Sequence, residues 1–255
     1  MTKQIDTSKL SHTTETGMHY TACCTLADCT HETNHEEQKI KNAKRGGISF
    51  FLIDNLKFMK QKPDGYYDLA LVDPPYGIGQ NWAKDKRAKF YKHRNKFNDN
   101  IPGEEYFKEL FRVSKHQIIW GANYYWNYLR PSNNLIFWDK GKDAQKQFGS
   151  AGEIAWTNIT KYPLVKIELM WNGCCMCEKT ERVHPHQKPI KLYQWTLQNY
   201  ATKGWKVLDT HGGSMSNAIA CDIEGFELDI CENDEKYFND GLQRFDLHKL
   251  QLKLF

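Results

Sequence analysis

Leu71-Val72-Asp73-Pro74-Pro75-Tyr76-Gly77 is the stretch on which the reading of this chain turns. An apolar run, Leu69 to Val72, stops abruptly at an acid, two prolines and an aromatic ring. The run predicts a buried strand, and Pro74 ends it because proline has no backbone donor for a sheet ladder. A carboxylate, a stiff Pro74-Pro75 backbone and a flat ring at the C-terminal end of a strand suit chemistry on a planar amine. Asp73 can accept a hydrogen bond from an exocyclic NH2 group. The Pro74 carbonyl can accept the other hydrogen, and the Tyr76 ring can stack on the amine's own ring. A plain strand with a Pro-rich turn would use the same four residues, so the rest of the chain has to decide.

Just upstream, Ile48 to Ile53 reads as a strand ending in Asp54-Asn55, followed by a short helix from Leu56 to Gln61 and a turn through Pro63 and Gly65. Strand, helix and strand in that order predict a parallel α/β unit. Ligands in such units sit at the C-terminal ends of the strands, where both Asp54 and Asp73 fall.

Downstream, the residues change in kind. Lys84, Lys86, Arg87, Lys89, Lys92, Arg94 and Lys96 stand against one acid, Asp85, with Phe90 and Tyr91 between them. A charge run is ordinarily a solvated loop. Beside a strand-end site, it is expected to be a mobile basic loop, about 78–100, that grips phosphates. Glu104 to Lys115 carries Tyr106, Phe107, Leu110 and Phe111 at helical spacing. Gln117 to Trp120 is the next strand, followed by Gly121-Ala122-Asn123, whose asparagine either lines a pocket or makes a turn. Asn134 to Trp138 is another strand. About 139–183 is less regular, with short β-like pieces at Glu153 to Thr157 and Val165 to Trp171, and is expected to be a small target-recognition insertion. The cluster Cys174-Cys175-x-Cys177 reads as incidental thiols.

His184-Pro185-His186-Gln187-Lys188-Pro189 then opens a helix with Ile190, Tyr193, Leu197 and Tyr200 on one face. Trp205 to Leu208 is a strand that runs into Asp209-Thr210-His211-Gly212-Gly213-Ser214-Met215-Ser216 and a further helix. Acid, glycine pair and helix start make a turn that lets a cofactor approach the backbone. Phe226 to Cys231 is the next strand. Glu232 at its end is placed to bind ribose hydroxyls, as acids are in other nucleotide-binding α/β units. A helix from Asp234 to about Lys249 closes the fold.

The whole chain has 255 residues, 40% of them hydrophobic, and a formal charge of +4. That is enough for a sizeable core, and it permits a nucleic-acid partner without demanding one. No run approaches the roughly 18 apolar residues of a membrane span, and Met1 to Gln4 lacks a signal-peptide core. A cytoplasmic protein is expected, acting in a bacterial cell or encoded by a phage. Its eight cysteines are then expected to be thiols or metal ligands rather than disulfides. Residues 1–47 read as a polar, flexible leader, and 48–255 as the working domain. The leader holds Cys23, Cys24, Cys29, His31 and His35, at a spacing that matches no zinc motif well, and no metal ligand is assigned.

Together these pieces resemble the amino-group DNA methyltransferases of the β arrangement, over about residues 48 to 248. The order Asp73-Pro74-Pro75-Tyr76, irregular block, His184 to Pro189, Asp209 to Ser216, Glu232 is that of the family. The resemblance implies a Rossmann-like α/β fold, a mostly parallel central sheet with helices on both faces. It implies S-adenosylmethionine (SAM) as cofactor and double-stranded DNA as substrate. Asp73, Pro74, Pro75 and Tyr76 match the catalytic motif. Asp209, Thr210, His211, Gly212, Gly213 and Ser214 match the cofactor loop, whose family pattern reads Asp-Pro-Phe-x-Gly-Ser-Gly-Thr. Glu232 matches the ribose-binding acid, Gln187 and Lys188 a His-Pro-Thr-Gln-Lys-Pro element by the cofactor, and Asp54 the acid near the cofactor adenine. Thr210-His211 departs from Pro-Phe. Met215 stands where the second loop glycine is usual, so a side chain there could crowd the cofactor or force a different loop backbone. Asp rather than Ser at 73 resembles the adenine-N6 members. An N4-cytosine or RNA methyltransferase is the alternative, and a catalytically silent SAM- or DNA-binding subunit a further one. A homodimer and a cognate restriction enzyme are compatible with the resemblance.

Overall fold

The computed structural model describes residues 42–78, 99–142, 144, 150–171, 177–178 and 182–252. The Cys/His-containing leader up to residue 41, the basic run Lys84 to Lys96, and Cys174 and Cys175 lie outside these residues. So do the expectations attached to them.

The chain begins with a hairpin of β1 (Asn42–Arg45) and β2 (Ile48–Leu52). The sheet therefore starts six residues before Ile48, inside the span expected to be leader. β1 is polar and mostly exposed, so no apolar period marks it. Then follow α1 (Asn55–Lys60), β3 (Tyr67–Val72), α2 (Glu104–Val113) and β4 (Ser114–Trp120). Next come β5 (Leu135–Asp139), β6 (Gly152–Thr157) and β7 (Leu164–Glu168). The chain closes with α3 (Ile190–Tyr200), β8 (Lys206–Asp209), α4 (Ser216–Glu224), β9 (Glu227–Glu232) and α5 (Glu235–Leu252).

Among the described residues, nine strands form one sheet in the order β1-β2-β9-β8-β3-β4-β6-β5-β7. β2, β9, β8, β3 and β4 run parallel, as the alternation of strands and helices predicts. β6 is antiparallel to both β4 and β5. The apolar run of β3 serves both faces of the sheet. Leu69 and Leu71 pack in one core with residues of α3, α4 and α5, including Leu192, Ile219 and Phe245. Ala70 and Val72 pack in the other with α1 and α2 residues such as Phe58, Phe107 and Leu110. That two-residue alternation in a fully buried strand is why the run is continuously apolar.

Within the stretch 139–183, the described residues include β6 and β7, which join the same sheet. β6 looks irregular in sequence because its last three residues, Ala155, Trp156 and Thr157, are all buried, which erases a polar alternation. Its reversed direction brings its first residues to the edge where the parallel strands end.

Candidate active site

The C-terminal edge of the parallel strands opens into a cleft of about 590 Å³. Its walls come from the ends of β2, β3, β8 and β9, from residues 99–103 and Tyr106, and from His184, His186, Lys188 and Tyr193.

At the end of β3, Asp73, Pro74, Pro75 and Tyr76 all line the cleft. Both oxygens of Asp73 are held. Oδ1 accepts from the Tyr76 hydroxyl at 2.6 Å and Oδ2 from Lys188 Nζ at 2.6 Å. The Tyr76 hydroxyl also lies 2.9 Å from Glu153 Oε2 and receives Lys188 Nζ at 2.7 Å. Lys188 reaches Glu153 Oε2 at 2.8 Å, and Lys140 holds the other Glu153 oxygen. Burial works against the Lys188 charge, but Asp73 and Glu153 outweigh it and keep the ammonium above the ordinary lysine value. Burial likewise works to raise Glu153, yet Lys188 and Lys140 hold it well below the usual carboxylate range. The Tyr76 phenol stays neutral, pushed up by burial and then by the Asp73 charge.

Three features of the turn after β4 fit this motif. Gly121 has φ +76°, and a Cβ there would stand 2.1 Å from the Tyr76 ring, so only glycine lets the ring in. Tyr125, fully buried, donates its hydroxyl to the Pro74 carbonyl at 2.6 Å and approaches the Pro75 carbonyl at 2.7 Å. The prolines' carbonyls are thus partly engaged rather than wholly free, although a carbonyl oxygen offers a second lone pair. The Tyr124 ring stacks on Tyr76 at 4.9 Å and 13°. Asn123 is exposed in this turn and is not part of the cleft wall.

Across the cleft, the segment after β8 forms a tight turn. Gly212 N–H donates to Cys231 O and Met215 N–H to Gly212 O, both at 2.8 Å. His211, Gly212, Gly213 and Ser214 line the cleft. Asp209 and Thr210 do not, because they are buried behind the loop. Asp209 Oδ1 accepts the His211 N–H at 3.0 Å, and Oδ2 accepts Asn217 Nδ2 at 3.0 Å. Burial pushes the Asp209 carboxyl up to about 7, with those two bonds acting the other way. Thr210 lies 2.7 Å from the Tyr106 hydroxyl and 2.9 Å from His211 Nδ1, and His211 Nε2 lies 2.9 Å from Asn55 Nδ2. This polar chain takes the place of the Pro-Phe pair. Burial lowers His211 to about 3, so its ring is neutral.

Met215 adopts φ +58°, the left-handed region that disfavours a side chain. Its side chain is fully buried and points into the core, not the cleft. It fills the space over Gly212 and Gly241. The expected crowding of the cofactor is therefore not what this residue does.

Glu232 lines the cleft, but its carboxylate also organises the backbone. Oε2 accepts Gly213 N–H at 2.8 Å, and Oε1 accepts the N–H groups of Asn233 and Asp234 at 2.9 Å each. Burial raises its pKa against those three bonds. Asp54 lines the cleft as the N-cap of α1, accepting Lys57 N–H at 2.9 Å. Gln187 is elsewhere. Its Oε1 accepts Val183 N–H at 3.1 Å and its carbonyl accepts Trp171 Nε1–H at 3.1 Å, so it braces the loop before α3. Lys188 reaches Asp73 through its ammonium, while its carbonyl accepts the Ser216 hydroxyl at 2.8 Å at the end of the glycine loop.

Sequence reasoning missed Glu153, Lys140, Tyr125 and Tyr106. Among the described residues, no group of three His, Cys, Asp or Glu could hold a metal ion, and no helix is long and apolar enough to cross a membrane.

No family model matches the chain, and no curated protein does. Solved structures do. M1.HpyAVI in complex with SAM matches at 16% identity and a TM-score of 0.52, over 78% of this chain and 99% of that one. The cytosine-N4-specific PvuII DNA methyltransferase matches at 15% identity and 0.52, over 78% and 86%. A candidate DNA modification methylase from Thermus thermophilus, complexed with S-adenosyl-L-methionine, matches at 13% identity and 0.52, over 78% and 93%. The chain has the mixed α/β methyltransferase fold that these proteins share.

Proposed function

We propose that this protein is a DNA methyltransferase that uses S-adenosylmethionine to methylate the exocyclic amine of a flipped-out base, adenine at N6. One observation carries the reading: Asp73 and Pro74 line the same cleft as the Gly212-Gly213 turn and Glu232. An amine acceptor and a nucleoside-type site thus share one space, within the usual volume of a ligand pocket.

The residues fit the cofactor. Gly212 and Gly213 expose backbone to the cleft, Met215 leaves it open, and Glu232 keeps an acceptor site beyond its three backbone bonds. The cofactor supplies an electrophilic methyl group on a sulfonium. Asp73 and the Pro74 carbonyl would accept the two N–H bonds and aim the nitrogen lone pair at that methyl carbon. The new N–C bond forms as the C–S bond breaks, its electrons staying on sulfur, and the nitrogen then releases one proton towards Asp73 or water. Orientation and fixed charges provide the acceleration, with no covalent enzyme adduct. The base has to leave the duplex first, because its amine is otherwise paired. Asp at 73 favours adenine by its resemblance to the N6 members. Cytosine N4 is the second reading, because it offers the same NH2 donor and the PvuII structure is cytosine-N4-specific. Labelled cofactor, mixed duplex DNA and RNA, and digestion to nucleosides test the proposal. N6-methyladenine in DNA is expected. Label in N4-methylcytosine or in RNA redirects it, and no label in any nucleoside overturns it.

A further inference from the structure

We propose that Glu153 is a positioning residue that clamps Lys188, and through it the Tyr76 hydroxyl and Asp73. For its effect on rate, this rests on the amine-methylation reading.

The geometry comes from strand direction. β4 ends at Trp120, paired with Ala155 of β6. Glu153, two residues earlier on the antiparallel strand, projects past that end to the edge where β3 delivers Asp73. Lys140, just beyond β5, arrives beside it, because Trp138 is the cross-strand partner of Glu153.

The donors and acceptors then close on one another. An ammonium has three N–H donors. Those of Lys188 are matched by Asp73 Oδ2 at 2.6 Å, Tyr76 Oη at 2.7 Å and Glu153 Oε2 at 2.8 Å. Tyr76 has one hydroxyl proton, and Asp73 Oδ1 at 2.6 Å is its nearer acceptor. The charges also balance, with Asp73 and Glu153 against Lys188 and Lys140. Lys188 is 5% exposed and Glu153 16%, so water replaces these bonds poorly. Glu153 is not in the cleft wall. Its influence on an amine in the cleft passes through Lys188 and Tyr76.

The test uses the full chain. Trace acetylation of amines, read at Lys188 by mass spectrometry with exposed Lys57 as reference, reports how tightly the ammonium is held. Glu153→Gln is expected to raise Lys188 labelling at least about fivefold, since a buried ion pair loses one partner. In single turnover the same variant is expected to lose about 10–100-fold in methyl-transfer rate, the scale of a 1 Å misplacement. Cofactor affinity and KM for DNA should stay within about twofold, a split that general loosening of the fold would not produce. Glu153→Asp keeps the charge but shortens the reach, and should move both readouts the same way by less. It serves where Glu153→Gln does not fold. Unchanged Lys188 labelling in these variants overturns the clamp, and so does methyl transfer within about threefold of wild type. A wild-type protein that methylates no nucleic acid sinks the functional proposal instead, and the labelling alone then decides the clamp.

Discussion

Lys188 Nζ lies 2.6 Å from Asp73 Oδ2, across 115 residues of sequence. The ion pair ties the loop before α3 to the end of β3, so the Asp73-to-Tyr76 motif is fixed by a residue that the family resemblance assigns to the cofactor. The ammonium has a second carboxylate, Glu153, which keeps it charged in a buried place.

Lys188→Met should show both consequences. It takes the ammonium from two buried carboxylates, leaving Glu153 to Lys140 and Asp73 to the Tyr76 hydroxyl, and removing one partner of a buried pair costs about 3–5 kcal/mol. Denaturant unfolding should report that loss. Methyl transfer should fall as well, even under conditions where the variant remains folded and binds cofactor.

Asp73→Ala and Glu232→Ala should separate chemistry from cofactor binding. Asp73→Ala should lose about 10²–10³ in single-turnover rate, by comparison with removal of one oriented oxyanion-hole donor, and keep most cofactor affinity. Glu232→Ala removes the acceptor of three backbone N–H groups that shape the cleft. Its calorimetric cofactor affinity should weaken by about 1.5–3 kcal/mol, the range for a hydrogen bond to a charged group. Near-normal transfer by Asp73→Ala would reduce the motif to a turn. Normal cofactor binding by Glu232→Ala would move the cofactor to another strand end.

How much of this was legible in the sequence follows from where each signal lies. Asp73, Glu232 and the Gly212-Gly213 turn were readable because a strand, its terminating acid and the proline or glycine beside it are neighbours in the chain. Glu153 was not, because its role depends on β6 entering the sheet backwards beside β4, a long-range pairing with no local mark. One cue existed. A carboxylate next to the buried run Ala155-Trp156-Thr157 must find a partner, since acids are almost never buried unpaired. Lys188 was readable as important but not as Asp73's partner. Its motif was matched to a family element by the cofactor, and nothing in the order of residues reveals the contact. Where the Met215 side chain goes was not readable either, because the space that receives it belongs to α5.

Asp209 should leave a signature in the pH dependence of stability. Its carboxyl is pushed up to about 7 by burial, against about 3.9 in an unfolded chain. The folded state therefore holds this proton more tightly than the unfolded state. The stability it contributes is fully present below about pH 4 and is lost as pH rises to about 7. Asp209→Asn has no such proton to lose. Whatever its offset at one pH, the fall in unfolding free energy between about pH 4 and 7 should be shallower than in wild type. The part that remains should include Glu232, whose pKa is also raised by burial. Parallel slopes in the two proteins would mean that Asp209 is already ionised in the fold.

Met215 and Gly241 should prove to be a compensating pair. Met215 occupies a left-handed position at φ +58° that suits glycine, and pays for it by filling a space in the core. That space exists because position 241, on α5, has no side chain. A Cβ there would stand 2.5 Å from Met215 Cγ and 3.0 Å from the Gly213 carbonyl. Helix propensity alone favours alanine over glycine in α5 by up to about 1 kcal/mol. The clash should reverse that sign, so Gly241→Ala should destabilise the wild-type protein by about 1–3 kcal/mol, the usual cost of overpacking. Met215→Gly empties the contested space and relieves the strained backbone, at the cost of lost apolar burial. In that background Gly241→Ala should be much less harmful, because only the Gly213 carbonyl still crowds its methyl group. The measurement is a double-mutant cycle by denaturant unfolding, with a coupling of at least about 1 kcal/mol expected for two groups in direct contact. Additive effects would show that Met215 does not occupy the space above Gly241. The loop after β8 would then need another explanation for tolerating a methionine beside the cofactor cleft.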